Sequence, residues 1–391
     1  MEKTIPLVEC WKFVGSTPQK YEGLKRYVST GALDKDHITE ADVEMVTFEN
    51  RPSRANLEVA TGDILFAKMA STEKTFVVDE VSAKNIYSTG FCAVHADETK
   101  ILSKCLYYYL SSSLFLEQKD KNSSGATQKA ITNAGLAKIA IKLPVLDDQR
   151  DFTTQMDLLC DVISARKQQM AKLDELVKAR FVELFGDPRN NPNSFSIVTF
   201  NDCVEYMGDI GSNGANKVVV DHLDMKDEED YALMVRFLNF TKNDFTDDVK
   251  YISKEAYVFF KKSQIFGGEL IMCKIGSAGQ NYVMPYLNRP VSLGLNQIMV
   301  RINDKTLMPY LYQYLNTDYG KQLIDGCING AVTKSITKTE LKKIPVIVPP
   351  MELQQQFAAF VEQTDKSKLA IQQSLDRLET LKKSLMQKYF G

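Results

Sequence analysis

Histidine and tryptophan are nearly missing: the 391 residues include three His and one Trp. Seven cysteines stand at 10, 92, 105, 160, 203, 273 and 327, with no C-x-x-C pair and an odd count. Imidazoles are available only at His37, His95 and His222. Neither a zinc site nor a disulfide framework is expected from this supply. No apolar run approaches the roughly 18 residues of a membrane span. The start, Met1-Glu-Lys-Thr-Ile-Pro6, lacks the apolar stretch of a secretory signal. A cytoplasmic, reducing location is expected. Net charge is scarce as well, with 48 basic against 50 acidic residues, or −2. This excludes a uniformly basic nucleic-acid coat protein but leaves room for a local basic face.

Catalytic signatures are also lacking. There is no G-x-G-x-x-G after a strand and no G-x-x-x-x-G-K-[ST]. An adenine methyltransferase needs a small-polar-Pro-Pro-aromatic loop to grip a flipped base. The only Pro-Pro, in Val348-Pro-Pro-Met351, lacks both flanks. Glu98-Thr-Lys100 and Glu340-Leu-Lys342 fit the short E-x-K pattern of metal nucleases. Such triplets are common by chance in a chain rich in Glu and Lys.

What the chain does contain is a copy of itself. Gly125-Ala-Thr-Gln-Lys-Ala-Ile-Thr132 matches Gly330-Ala-Val-Thr-Lys-Ser-Ile-Thr337 at an offset of 205. The same offset pairs Pro144 with Pro349, Gln149 with Gln354, Phe152 with Phe357, and Phe185-Gly186 with Phe390-Gly391. Upstream, Gly62-Asp-Ile-Leu-Phe-Ala-Lys68 matches Gly268-Glu-Leu-Ile-Met-Cys-Lys274. The second copy is longer, and its acidic stretch Asp221 to Asp230 reads as a surface insertion.

Each copy ends in a long helix. Positions in steps of four and three from Phe152 to Leu184, and again from Phe357 to Tyr389, are mostly apolar, with Arg166, Arg180, Thr364, Lys368 and Lys382 as the exceptions. The seam residues are Phe152, Leu159, Ile163 and Leu173 in the first helix. In the second they are Phe357, Ile371, Leu375 and Leu378. About 37 residues at 1.5 Å rise make a rod of about 55 Å. One apolar stripe on such a rod needs a partner, and the other copy supplies it. Leu176, Phe181, Leu381 and Met386 widen the stripe, and Phe181 and Met386 are expected to stay exposed beyond the seam. Before each long helix lies a mixed α/β body. Asp63–Ala67, Thr75–Val78, Phe91–Val94, Glu269–Cys273 and Gln297–Ile302 read as strands, and 102–116 and 309–324 as single helices.

Local charge points to chemistry. Five Lys face one Asp between Lys119 and Lys142, and five face one Asp and one Glu between Lys321 and Lys343. Both stretches hold the Gly-Ala-x-x-Lys loop. Small and hydroxyl residues let backbone N–H groups approach phosphate, and a lysine neutralises it. Lys68 and Lys274 each end a strand beside a loop of small residues, from which long polar side chains could reach base edges. The candidates for nucleic-acid contact are Lys68, Lys121, Thr127, Gln128 and Lys129 in the first copy. In the second copy they are Lys274, Ser277, Gln280, Asn281, Thr333, Lys334 and Ser335. An adaptor that never touches nucleic acid, and a DNA-modifying enzyme with an unrecognised active site, stay open on the residues alone.

In layout the chain resembles the specificity (S) subunit of type I restriction–modification systems. The residues that carry the resemblance are the duplicated helix starts near Leu143-Pro144 and Val348-Pro-Pro350, each followed by its Gln, and the Leu-Phe-Gly and Tyr-Phe-Gly ends. They also include the Phe185-Gly-Asp-Pro188 junction and the Gly-Asp-Ile-Leu and Gly-Ala-Thr-x-x-x-Ile-Thr elements. The resemblance implies an α+β chain, with two mixed α/β target recognition domains joined by two long helices that form an antiparallel coiled coil. The segments are 1–143, 144–186, 187–348 and 349–391. It implies partners: double-stranded DNA, two methyltransferase (M) subunits, and restriction (R) subunits that can join, with no membrane. It further implies no catalytic site, metal or cofactor on this chain, S-adenosylmethionine being carried by M.

Overall fold

The computed structural model describes residues 3–126 and 128–391. They divide into two compact units, Met1–Gln168 with Ile371–Gly391, and Gln169–Ala370. Each unit takes one globular body and half of each long helix, so the division falls within the helices.

The two bodies share one topology. In the first unit a four-stranded sheet runs Trp11–Phe13, Phe91–Ala96, Ile64–Ala67, Thr75–Val77. In the second the corresponding sheet runs Val204–Gly208, Gln297–Ile302, Leu270–Cys273, Asn281–Val283. A second four-stranded sheet in each unit contains one parallel pair, Lys25–Val28 with Ile86–Ser88, and Ala232–Val235 with Val291–Leu293. A two-stranded ribbon joins Lys3–Pro6 to Ala140–Leu143, and Ser196–Thr199 to Pro345–Val348.

The central strands are apolar without alternation because both faces are covered. Ile64 and Phe66 face the helical core, while Leu65 and Ala67 face the second sheet. Leu270 and Met272 face the helices, and Ile271 faces the other sheet. Successive side chains of a strand point to opposite faces, so one run feeds two cores.

The expected helices 102–116 and 309–324 are each two helices. Ser103–Leu110 is followed by Ser113–Lys121, and Met308–Asn316 by Asp318–Asp325. A hydroxyl makes each break. Ser112 Oγ accepts from Phe115 N at 3.2 Å, and Thr317 Oγ1 accepts from Gly320 N at 3.0 Å. A capping hydroxyl competes with the helical ladder and restarts the helix on a new axis.

The long helices run Leu146–Phe185 and Met351–Phe390, 40 residues each. In the first unit the opening turns of the first helix meet the closing turns of the second. Phe152 lies 5.2 Å from Phe390 and 5.0 Å from Tyr389, ring centre to ring centre. In the second unit Phe357 lies 5.5 Å from Phe181 and 5.6 Å from Phe185. Within each unit the pair is therefore antiparallel. Phe152, Leu159, Ile163, Phe357, Ile371 and Leu375 are buried, and Leu173 and Leu378 are half-buried. Burying each Phe stabilises by about 2 to 3 kcal/mol.

Phe181 and Met386 are not exposed. Phe181 stacks on Tyr310 at 5.5 Å inside the second core, and Met386 belongs to the first. Their stripe covers the globular bodies as well as the partner helix. Helix side chains left in solvent are Leu158, Val162, Leu176, Val182, Leu369 and Leu381. The first long helix stops at Gly186, whose φ of +76° and closeness to Pro192 leave no room for a Cβ.

The duplicated glutamines explain themselves here. Gln149 and Gln354 are fully buried. Gln149 Oε1 accepts from Leu102 N at 2.9 Å, and its Nε2 donates to Lys100 O and Pro144 O at 2.8 and 2.9 Å. Gln354 repeats the set with Leu307 N, Lys305 O and Pro349 O at 2.9, 3.2 and 2.9 Å. Each ties a long helix to the body of its own unit.

Candidate nucleic-acid interface

The two halves of each candidate site, far apart in sequence, come together by backbone pairing. In the first unit Ala70 N donates to Lys129 O at 2.9 Å, and Ile131 N donates to Lys68 O at 2.8 Å. In the second, Gly276 N donates to Lys334 O at 3.3 Å, and Ile336 N donates to Lys274 O at 3.0 Å. The Gly-Ala-x-x-Lys turn thus lies beside the loop that follows the central strand in both bodies. The glycine is obligatory. Gly125 and Gly330 have φ of +138° and +105°, and a Cβ would come within 2.3 Å of Gln128 O or 2.2 Å of Thr333 O. Thr132 and Thr337 then cap the short helices that follow.

Lys121, Gln128, Lys129, Thr333 and Lys334 are exposed, as are Ser277 and Gln280. Thr127 lies outside the described residues. Lys129 and Lys334 have no carboxylate partner among the described residues, nor has Lys68, which is half-buried. Ser335 is half-buried and pairs with Ile275 and Asn329 through its backbone. Asn281 does not reach out. It is 7% exposed, its Oδ1 accepts from Asn316 at 2.8 Å, and its Nδ2 donates to Gly279 O at 3.2 Å. Burial and these two bonds turn its amide inward, away from any base edge.

Lys274 is not a free cation either. Its Nζ lies 2.8 Å from Asp209, and so does Lys338 Nζ, which also reaches Ser212 Oγ at 2.9 Å. Burial pushes the Asp209 carboxyl up, but bonds from Lys274, Lys338 and Ser212 outweigh it and hold the pKa down at about 2. Two lysines on one carboxylate leave a net positive cluster beside the Lys334 turn. In the sequence Lys338 is one lysine of a basic stretch, and nothing marks Asp209 as its partner. No short motif links residues 65 and 129 positions apart.

In the first unit a different lysine is spent inside. Lys119 is 2% exposed and donates to Ala67 O at 3.1 Å and Thr72 O at 2.7 Å. Burial of the ammonium lowers its pKa to about 8, against the opposing fields of Asp120 and Glu73. The ordinary value is 10.5. Between these values the unfolded chain binds more protons, so this group's contribution to stability rises as pH climbs from 8 toward 10.5. The unfolding free energy of wild type relative to Lys119→Met is expected to grow by about 1 kcal/mol from pH 8 to pH 9. Urea unfolding at the two pH values checks this, and an unchanged difference contradicts it.

The fold and the paired basic turns define a two-domain chain that presents a lysine-tipped turn twice. Comparison with known proteins places it. The family described as "Type I restriction modification DNA specificity domain" matches residues 24–174 and 208–382. The chain belongs to that family. A putative type I restriction enzyme MjaX specificity subunit from Methanocaldococcus jannaschii is 27% identical over 158 residues, 39% of this chain and 36% of that protein. The match spans about a third of that relative's length. Two solved structures show the same fold. One, from work on complex assembly and conformational transition of the type I R-M system, is 18% identical with a TM-score of 0.57, covering 99% of this chain and 97% of its own. The other is the type I restriction–modification S subunit from M. genitalium, 12% identical with a TM-score of 0.54, covering 100% and 96%. No helix among the described residues is long and apolar enough to cross a membrane.

Proposed function

We propose that this chain is the DNA-specificity subunit of a cytoplasmic type I restriction–modification complex. Each globular body reads one half of a split double-stranded site, and the long helices set the unread spacer. The observation that carries this reading is the duplicated assembly. A lysine-tipped glycine turn lies against the same strand-end loop in both bodies, at Gly125–Lys129 and Gly330–Lys334. A protein that reads two half-sites needs two such surfaces, whereas an adaptor or a single-site enzyme does not.

The chain itself performs no chemistry in this reading. Two M subunits, which bring S-adenosylmethionine, dock on the long helices, and R subunits join for cleavage. Apolar side chains left in solvent support the docking. In the second unit a shallow groove of about 700 Å³ is lined by Leu307, Pro309, Ala358, Ala359, Val361 and Leu369, among others. In the first unit Leu158 and Val162 stand out from the helix.

The exposed lysines test the interface. In the assembled complex, Lys129→Ala or Lys334→Ala is expected to weaken binding to all duplex sequences alike and to reduce the salt slope of binding by about one unit. Titrations at several salt concentrations give both quantities. A changed target motif at unchanged overall affinity would assign these lysines to bases and refute a phosphate role.

A further inference from the structure

The two bodies hold their strand-end loops by different means, and the difference lies at equivalent positions. In the first unit the last turn of the helix Ser113–Lys121 grips the loop Met69–Thr72 from two sides. Lys119 Nζ donates to Ala67 O and Thr72 O at the two ends of the loop. Asp120 accepts from Ser71 N at 2.8 Å and from Ser71 Oγ at 3.2 Å. Ser71 needs this hold, because its φ of +56° lies in the left-handed region that a serine rarely adopts. The grip leaves Met69 exposed and bridged to Ala130, next to Lys129.

In the second unit the residue 205 positions after Lys119 is Ile324, a buried apolar side chain. Its Cγ2 lies under Gly279, where a Cβ would come within 2.5 Å. There the loop rests on an apolar plug and on glycines with positive φ at 276 and 279. Beyond its backbone bonds, one body therefore fixes its loop from the preceding helix with a buried charge and a carboxylate, whereas at the position of that charge the other body has an apolar side chain.

We propose that Lys119 and Asp120 are positioning residues for base reading by the first body: they fix the conformation of Met69–Thr72 without touching DNA. The proposal rests on the DNA-reading function argued above. Burial of Lys119 keeps its ammonium from phosphate, so its effect must pass through the loop. Hydrogen bonds that lock a reading loop sharpen discrimination between bases, because a loose loop can shift to accommodate a wrong one.

The test uses the complex assembled with methyltransferase subunits. The target is first read from the adenines that the wild-type complex methylates. Binding is then measured on duplexes with single-base changes in either half-site, for wild type, Lys119→Met and Asp120→Asn, across salt concentrations. Both variants are expected to lose about tenfold or more in discrimination within the first body's half-site. Discrimination in the other half should stay within about twofold, and the salt slope should be unchanged. A slope lower by about one unit would put Lys119 on phosphate and overturn the proposal. So would unchanged discrimination, or equal loss in both halves. If Lys119→Met fails to fold, Asp120→Asn, which leaves the buried lysine in place, decides alone. A wild-type complex with no split target would sink the DNA-reading function itself, a result visible before any variant is made.

Discussion

Gln149→Ala is expected to cost about 4 kcal/mol of folding stability in the first unit. Ala keeps the helix but leaves Leu102 N, Lys100 O and Pro144 O without the partner they had. A buried backbone group without a partner costs roughly 1 to 3 kcal/mol, and the vacated volume adds to that. Domains are stable by only about 5 to 15 kcal/mol, so this is a large share. The chain's single tryptophan makes the measurement local. Trp11 is buried in the first unit's core, so its fluorescence during denaturant unfolding follows that unit. Gln149→Glu should lose nearly as much. Its carboxylate can still accept from Leu102 N but has nothing to donate to the two carbonyls. Gln354→Ala should cost a similar amount in the second unit, read by circular dichroism. An unchanged Trp11 midpoint in Gln149→Ala would show that the triple bond set is not what ties the helix down.

The second large effect is on the target itself. Replacing residues 1–143 with the matching segment of another recognition domain is expected to change one half of the site completely and leave the other half unaltered. Lengthening the helices should change only the distance between the halves. Repeat equivalence alone suggests insertion after Leu173 and Leu378. In the antiparallel pair, however, Asp174 faces Lys368, with its carboxylate 2.6 Å from the ammonium. Seven residues added after Leu173 and seven after Lys368 therefore face each other and keep the apolar seam in phase. One heptad rises about 10 Å, which is about three base pairs at 3.4 Å each. The unread spacer should grow by that amount with both half-sites unchanged. Mapping methylated adenines after modification by each complex reads out both experiments. A continuous target, or a swap that alters both halves, would defeat the two-reader function.

Much of this architecture was legible in the chain because it is written in local and periodic terms. The 205-residue offset survives any rearrangement of loops. The heptad seam shows in steps of three and four, and the glycines at 125 and 330 mark turns that a Cβ would block. The central strands appeared as apolar runs, though the runs did not reveal that two cores share them. The helix pair's direction came with the family resemblance, and the rings at Phe152 and Phe390 place it in the structure.

What the sequence by itself determined, then, is whatever depends on neighbours along the chain: the repeat, the long helices, the glycine turns and the two basic stretches. Tertiary structure alone decided which lysines remain available. In sequence Lys119, Lys129, Lys274 and Lys334 look alike, three of them in the basic stretches and Lys274 at a strand end. Folding buries the first under Ala67 and Thr72, binds the third to Asp209, and leaves the other two in solvent. The same holds for Phe181 and Met386, which lie on the stripe's edge in sequence and in the cores once the bodies pack. A side chain's charge is set by its own chemistry, but its burial and its partner are set by residues tens of positions away. Only the folded chain brings those together.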